Sequence, residues 1–148
     1  MKIRVEENEK NETLEVVIHC QKINHEVHEI QKALLYFDKT IIGKKDDRSY
    51  TLTPNDIFYF DSVDNKVFAY TKDDLFDVNL KLYQLETLLI NANFLRINKN
   101  TIVNTNKIKS FKSTLNGRME AKLISDERLD ISRMYVPKLK EMLGGKNR

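Results

Sequence analysis

The spacing of apolar residues near the N-terminus predicts a small unit of mixed structure. Residues 2–5 and 14–19 alternate apolar and polar side chains, as short strands with one buried face do. A helical spacing follows, and Asn24 is placed to cap that helix. Its apolar positions are Ile23, Val27, Ile30 and Leu34. With a return strand at 41–43, the pattern predicts a strand–helix–strand unit over residues 1–45.

From residue 46 onward, short apolar runs alternate with polar turns, which predicts a region rich in β-structure. The tract KKDDR and the dipeptide Asn116-Gly117 are both typical of hairpin turns, and asparagine and glycine tolerate positive φ. One short helix is predicted around Leu82, Leu85 and Leu89. Another begins near Pro137, since proline suits a first helical turn. The fold class expected for the whole chain is therefore mostly β with short helices (α+β).

The distribution of charge points to a polyanionic partner. The net charge of the 148 residues is +3, but residues 94–148 contain 13 Lys/Arg and 5 Asp/Glu, a net +8. Residues 1–93 contain 12 Lys/Arg and 17 Asp/Glu, a net −5. Basic side chains that neutralise phosphates release condensed counterions, and this release drives binding to nucleic acids. A lysine-rich solvated surface with no partner is the alternative that charge alone leaves open.

Other features argue against membrane, metal and catalytic roles. No run approaches the ~18 apolar residues that a membrane helix needs, and the N-terminus has no apolar signal core. The lone Cys20 agrees with a reducing cytoplasm. His19, His25 and His28 do not have zinc-finger spacing and are interpreted as structural or solvated. Since phosphate-binding and nucleophile motifs are missing as well, we expect a cytoplasmic protein that is not an enzyme and needs no cofactor.

The most informative stretch is NFLRINKNTIVN at residues 93–104. Two β-branched apolar runs enclose a polar loop, 98–101, whose lysine can contact phosphates and whose amides can contact base edges. This stretch follows IFYFDSVDN and precedes NGRMEAKL, LDISR and YVPKLKEML. In this order and spacing the pieces resemble the LytTR family of bacterial DNA-binding domains, over roughly residues 50–145. The family often has histidine at Asn98 and serine at Asn100, and both replacements can hydrogen-bond.

The resemblance implies an elongated β domain, here residues 46–148, whose loops enter successive major grooves of duplex DNA. By position, the base-contacting residues implied are Lys66, Lys99 and Arg133. Backbone or secondary contacts are implied for Asn98, Asn100, Asn116, Arg118, Ser132 and Tyr135. Tyr135 could equally be a residue at the edge of the core.

Two classes of function follow from these observations. The favoured one is a transcriptional regulator that binds double-stranded DNA. The alternative is a protein-interaction module in which the β domain is only a scaffold.

Residues 1–45 are too short for the receiver domain that many family members carry, because such a domain needs about a hundred residues. We expect this segment to make or support a homodimer, since so small a unit rarely buries enough area to be stable alone.

Overall fold

The computed structural model of the protein describes residues 1–35, 39–90 and 92–144. It contains three α-helices and ten β-strands in these ranges, which confirms the mostly β fold with short helices. The helices are α1 (His25–Leu35), α2 (Leu82–Leu88) and α3 (Val136–Gly144). The strands are β1 (Ile41–Lys45), β2 (Arg48–Leu52), β3 (Tyr59–Val63), β4 (Lys66–Tyr70), β5 (Leu75–Val78), β6 (Phe94–Asn98), β7 (Thr101–Asn104), β8 (Ile108–Ser113), β9 (Met119–Leu123) and β10 (Arg128–Ile131).

Two antiparallel sheets form the body of the fold. Seven strands pair in the order β2-β1-β5-β4-β3-β7-β6, and three pair in the order β10-β9-β8. Successive side chains of a strand point to opposite faces, so Phe60 and Tyr59 of β3 enter different cores. The Phe60 face packs on the buried leucines of α2. The Tyr59 face packs on the three-stranded sheet and α3, which places the large sheet between two apolar layers.

Local backbone conformation explains why the predicted hairpins form. Asp46 and Asp47 join β1 to β2, and both have positive φ. Asn116 and Gly117 lie between β8 and β9 and also have positive φ, at 60° and 76°. Aspartate, asparagine and glycine adopt this region at little cost. The hairpin predictions at these two places are confirmed.

The two N-terminal strands predicted at 2–5 and 14–19 do not form, and this part of the prediction is wrong. Residues 1–24, all within the described ranges, contain no helix or strand. An alternating pattern makes a strand only when a neighbouring strand pairs with its backbone and an apolar layer covers its face. Here Ile3 and Leu14 are 78% and 86% exposed, so neither condition is met within one chain.

The helix of this N-terminal segment is confirmed, although Ile23, predicted to lie on its apolar face, precedes it and is 65% exposed. The strand after the helix has an unexpected partner. The Asn24 side chain accepts a hydrogen bond from the Val27 N–H at 3.0 Å, which is the predicted N-cap. Strand β1 pairs with β2 and β5, and is therefore an inner strand of the seven-stranded sheet. The division of the chain at residue 45 stays a prediction.

No helix among the described residues is long and apolar enough to cross a membrane.

Candidate nucleic-acid interface

The turn after β3 and the turn after β6 lie side by side at one end of the large sheet. Antiparallel pairing of β3 with β7 continues beyond the start of β7, because the Ser62 N–H of β3 donates to the Asn100 carbonyl at 2.8 Å. The Thr101 hydroxyl donates to the Asp61 carboxylate at 3.0 Å beside it. Lys66 begins β4, the next strand over, so its backbone lies two strand spacings, about 10 Å, from β7.

Two further hydrogen bonds attach the end of β10 and the residue after it to the same place. The Asn98 side-chain amide donates to the Asp130 carbonyl at 2.9 Å. The Ser132 N–H donates to the Ile97 carbonyl at 2.8 Å. Arg133 follows directly in a short 3-10 helix, Arg133–Tyr135, which leads into α3. The loop that carries Lys99 and the loop that carries Arg133 are therefore neighbours.

The turn between β8 and β9 completes this group of loops. A Cβ atom at Gly117 would lie 2.8 Å from Cδ and 3.0 Å from Cγ of Arg133, so the arginine stem passes directly over the glycine backbone. A larger residue at 117 would displace Arg133. We call residues 64–66, 98–100, 115–118 and 132–135 the loop edge. It unites all nine residues that the family resemblance singled out.

The nine residues differ in how far their side chains are available. The exposed ones are Lys66, Lys99, Asn100, Asn116, Arg118 and Arg133. Asn98 and Ser132 are half-buried, and Asn98 is engaged at both ends of its amide, because its oxygen also accepts from the Asn100 N–H at 2.8 Å. Tyr135 is half-buried against the second core. Asn98 and Tyr135 thus shape the loop edge, whatever else they contact.

Comparison with known proteins identifies the family. The model of the LytTr DNA-binding domain matches residues 47–144. The chain belongs to this family. The family consists of DNA-binding domains and is not an enzyme class.

Uncharacterized HTH-type transcriptional regulators of Staphylococcus aureus are similar over almost their whole length. The protein of strain MSSA476 is 31% identical over 145 residues, 97% of this chain and 98% of that one. The protein of strain NCTC 8325 is 32% identical over 136 residues, 90% and 92% of the two chains.

A solved structure has the same fold. The LytTr DNA-binding domain of a putative methyl-accepting/DNA response regulator from Bacillus cereus superposes with a TM-score of 0.68 at 21% identity. The match covers 72% of this chain and 98% of the other. The name of the S. aureus relatives refers to a helix–turn–helix, but here strands separate α1, α2 and α3 from one another. In this LytTr chain the loops between strands, and not a pair of consecutive helices, form the candidate interface.

Two polar contacts at the end of the strands opposite the loop edge, one buried and one half-buried, were missed by the sequence analysis. Asn104 is 2% exposed, and its side chain donates to the Ile57 carbonyl and accepts from the Asn106 N–H, both at 3.0 Å. The Tyr59 hydroxyl donates to the Glu127 carboxylate at 2.7 Å and joins the two sheets. Burial raises the pKa of Tyr59, and the hydrogen bond to Glu127 raises it further, so the hydroxyl remains a donor over a wider pH range than a free tyrosine does. An asparagine ending an apolar strand was the available signal for Asn104, whereas Tyr59 and Glu127 are 68 positions apart.

Proposed function

We propose that this LytTr chain is a transcriptional regulator that binds duplex DNA sequence-specifically through the loop edge, with its loops in successive major grooves. The observation that carries the proposal is the arrangement of three exposed cations, Lys66, Lys99 and Arg133, on loops that hydrogen bonds or close packing hold together. The names of the S. aureus relatives agree with a regulatory role. Base edges in the major groove offer acceptors to such side chains.

Within this proposal the residues of the loop edge have different tasks. Arg133 is best suited to guanine, because a guanidinium can donate to O6 and N7 together, while lysine donates less directionally. Lys66 and Lys99 are the other proposed base contacts. Contacts to the sugar–phosphate backbone, which set the register without reading sequence, are proposed for Asn98, Asn100, Asn116, Arg118, Ser132 and Tyr135.

The dependence of DNA affinity on salt tests this function against the alternative of an interaction module. Each phosphate that the protein neutralises should contribute about −0.9 to the slope of log K against log [salt]. We expect a steep negative slope and tighter binding to a duplex selected from a random pool than to its scrambled version. Weak binding to every duplex, with little dependence on salt, would favour the interaction module instead.

We also propose that residues 1–45 support a homodimer, in which a second copy covers apolar side chains that a single chain leaves in solvent. Ile3, Leu14 and Val16 are 78%, 86% and 57% exposed. Two linked modules bind a site with repeated halves far more tightly than one module does. Residues 1–45 contain 8 Lys/Arg and 8 Asp/Glu, so the segment has no net positive charge that would attract it to the phosphates.

Sedimentation of the full chain tests the dimer. The wild type should sediment as a dimer at tens of micromolar, and the double change Leu14→Asp and Val16→Asp should shift it toward monomer. Because both side chains are exposed in the single chain, the fold should survive, which circular dichroism can verify. Thr13→Asp adds an acidic residue at an adjacent exposed position and serves as the control. A wild type that is monomeric both with and without DNA would contradict the dimer.

A further inference from the structure

The turn between β6 and β7 lacks the backbone conformation that supports the other two-residue hairpins of the chain. The turns at 46–47 and 64–65 have positive φ at both central residues, between 50° and 64°. Positive φ at both positions matches the twist of the flanking strands. Lys99 and Asn100, which form the β6–β7 turn and are both described, have no positive φ. This turn therefore depends on other contacts for its shape.

Arg96 supplies two of those contacts from within β6, beside the hydrogen bonds that Asn98 and Ser62 make to Asn100. Its Nε donates to the Asn98 carbonyl at 3.2 Å, and one terminal nitrogen donates to the Lys99 carbonyl. The other terminal nitrogen pairs with the Glu86 carboxylate. The pairing register shifts between Arg96 and Asn98, as it does at a β-bulge. One guanidinium thus holds two successive carbonyls of the turn.

The contact with Glu86 connects the turn to a helix on the far side of the sheet. Glu86 lies on α2, and Leu82 and Leu85 of that helix are buried in the first core. The Arg96 side chain is only 23% exposed, so water competes little for its donors. A rigid planar fork suits three acceptors at once, whereas a lysine ammonium at the end of a flexible stem does not. Helix α2 and Arg96 together anchor the turn from the side opposite the second core.

We propose that Arg96, held by Glu86, is a positioning residue for DNA recognition. It fixes the backbone of the β6–β7 turn and so sets the direction in which Lys99 faces the base edges and Asn100 faces the sugar–phosphate backbone. The inference rests on the proposed function of the loop edge. Arg96 needs no contact with DNA in this role, because its guanidinium is turned toward α2. Recognition groups must be held to within about 0.5 Å to discriminate, and the two carbonyl contacts provide that restraint.

Replacing Arg96 with lysine separates geometry from charge. Arg96→Lys keeps the positive charge, so the salt dependence of binding should not change. Affinity for a duplex selected by the wild type from a random pool should fall by about tenfold, and affinity for a scrambled duplex by less than about twofold. Glu86→Ala should cause a smaller loss in the same direction.

The ion pair between Lys45 and Asp74 provides a matched control, because it is similarly exposed and Asp74 lies at the other end of β4 and β5 from Lys66. Asp74→Ala should leave the ratio of the two affinities at the wild-type value. A purely structural role of Arg96 would lower both affinities equally, and that result would overturn the proposal. An unchanged ratio in Arg96→Lys would overturn it as well.

Amide hydrogen exchange in the absence of DNA distinguishes failure of this inference from failure of the proposed function. The Asn100 N–H is bonded within the turn, so Arg96→Lys should speed its exchange several-fold, and Asp74→Ala should not. Unchanged exchange would show that Arg96 does not hold the turn. If exchange became faster in Arg96→Lys but the wild-type protein bound no selected duplex, the proposed DNA-binding function would be the part that fails. The positioning role in DNA recognition would then fail with it.

Discussion

Replacing Arg133 with alanine should weaken binding to a selected duplex by about 1–3 kcal/mol, the usual value of a good bidentate base contact. Arg133 is exposed, and its stem lies across Gly117 of the β8–β9 turn. Its guanidinium is therefore directed from a supported stem and not from a mobile one. The loss should be confined to the selected sequence, since removing a base contact affects discrimination more than general attraction to phosphate. Titration of selected and scrambled duplexes at one salt concentration measures the difference.

Lys112→Ala is the matched comparison for this prediction. Lys112 is an exposed cation on β8, outside the loop edge. Its loss should lower both affinities weakly and alike, and reduce the salt slope by about one phosphate contact. If Arg133→Ala also lowered both affinities by the same factor, Arg133 would be a phosphate contact, and its proposed role in reading bases would be wrong.

Hairpins were predicted correctly from the sequence because their signals are local. The aspartates at 46–47 and the Asn116-Gly117 pair adopt positive φ, a conformation that these residue types accept at little cost. The strands expected at 2–5 and 14–19 failed because a strand depends on a neighbour that its own residues do not specify. The same limit applies to the pairing of β1. This strand was expected to complete the N-terminal unit, but it pairs with β5, more than thirty residues further along the chain.

The candidate site shows a similar division between local and non-local information. The nine residues of the loop edge came from a family resemblance, and the structure shows how they are brought together. Nothing in the spacing of residues 97–100 and 130–133 indicated that Asn98 and Ser132 would join the two segments. The role of Arg96 could not be predicted from the sequence either, because an arginine within an apolar strand is typical of any strand at the edge of a sheet. That these residues contact DNA stays a prediction, as does the cytoplasmic location.

The support beneath Arg133 leads to the largest expected effect on stability. Leu139 of α3 is fully buried in the second core, and the helix follows directly on the 3-10 turn that carries Arg133. Leu139→Ala should lower the free energy of unfolding by about 2–5 kcal/mol, because it removes buried methyl groups and leaves a cavity. Val136 and Leu139 are the buried side chains of α3, whereas Met142 and Leu143 are only partly buried against the second core. Denaturant unfolding followed by circular dichroism measures it.

Lys140→Ala controls for substitution within the same helix, because Lys140 is exposed and alanine favours helix. It should change the free energy of unfolding by less than about 0.5 kcal/mol. For Leu139→Ala we further expect DNA discrimination to fall at temperatures at which the sheets remain folded, since α3 anchors the segment that holds Arg133. If the variant unfolded at the wild-type denaturant concentration, α3 would not be packed as described. If it lost stability but kept full discrimination up to its unfolding temperature, the position of Arg133 would be set by Gly117 and Ile97 without help from the helix.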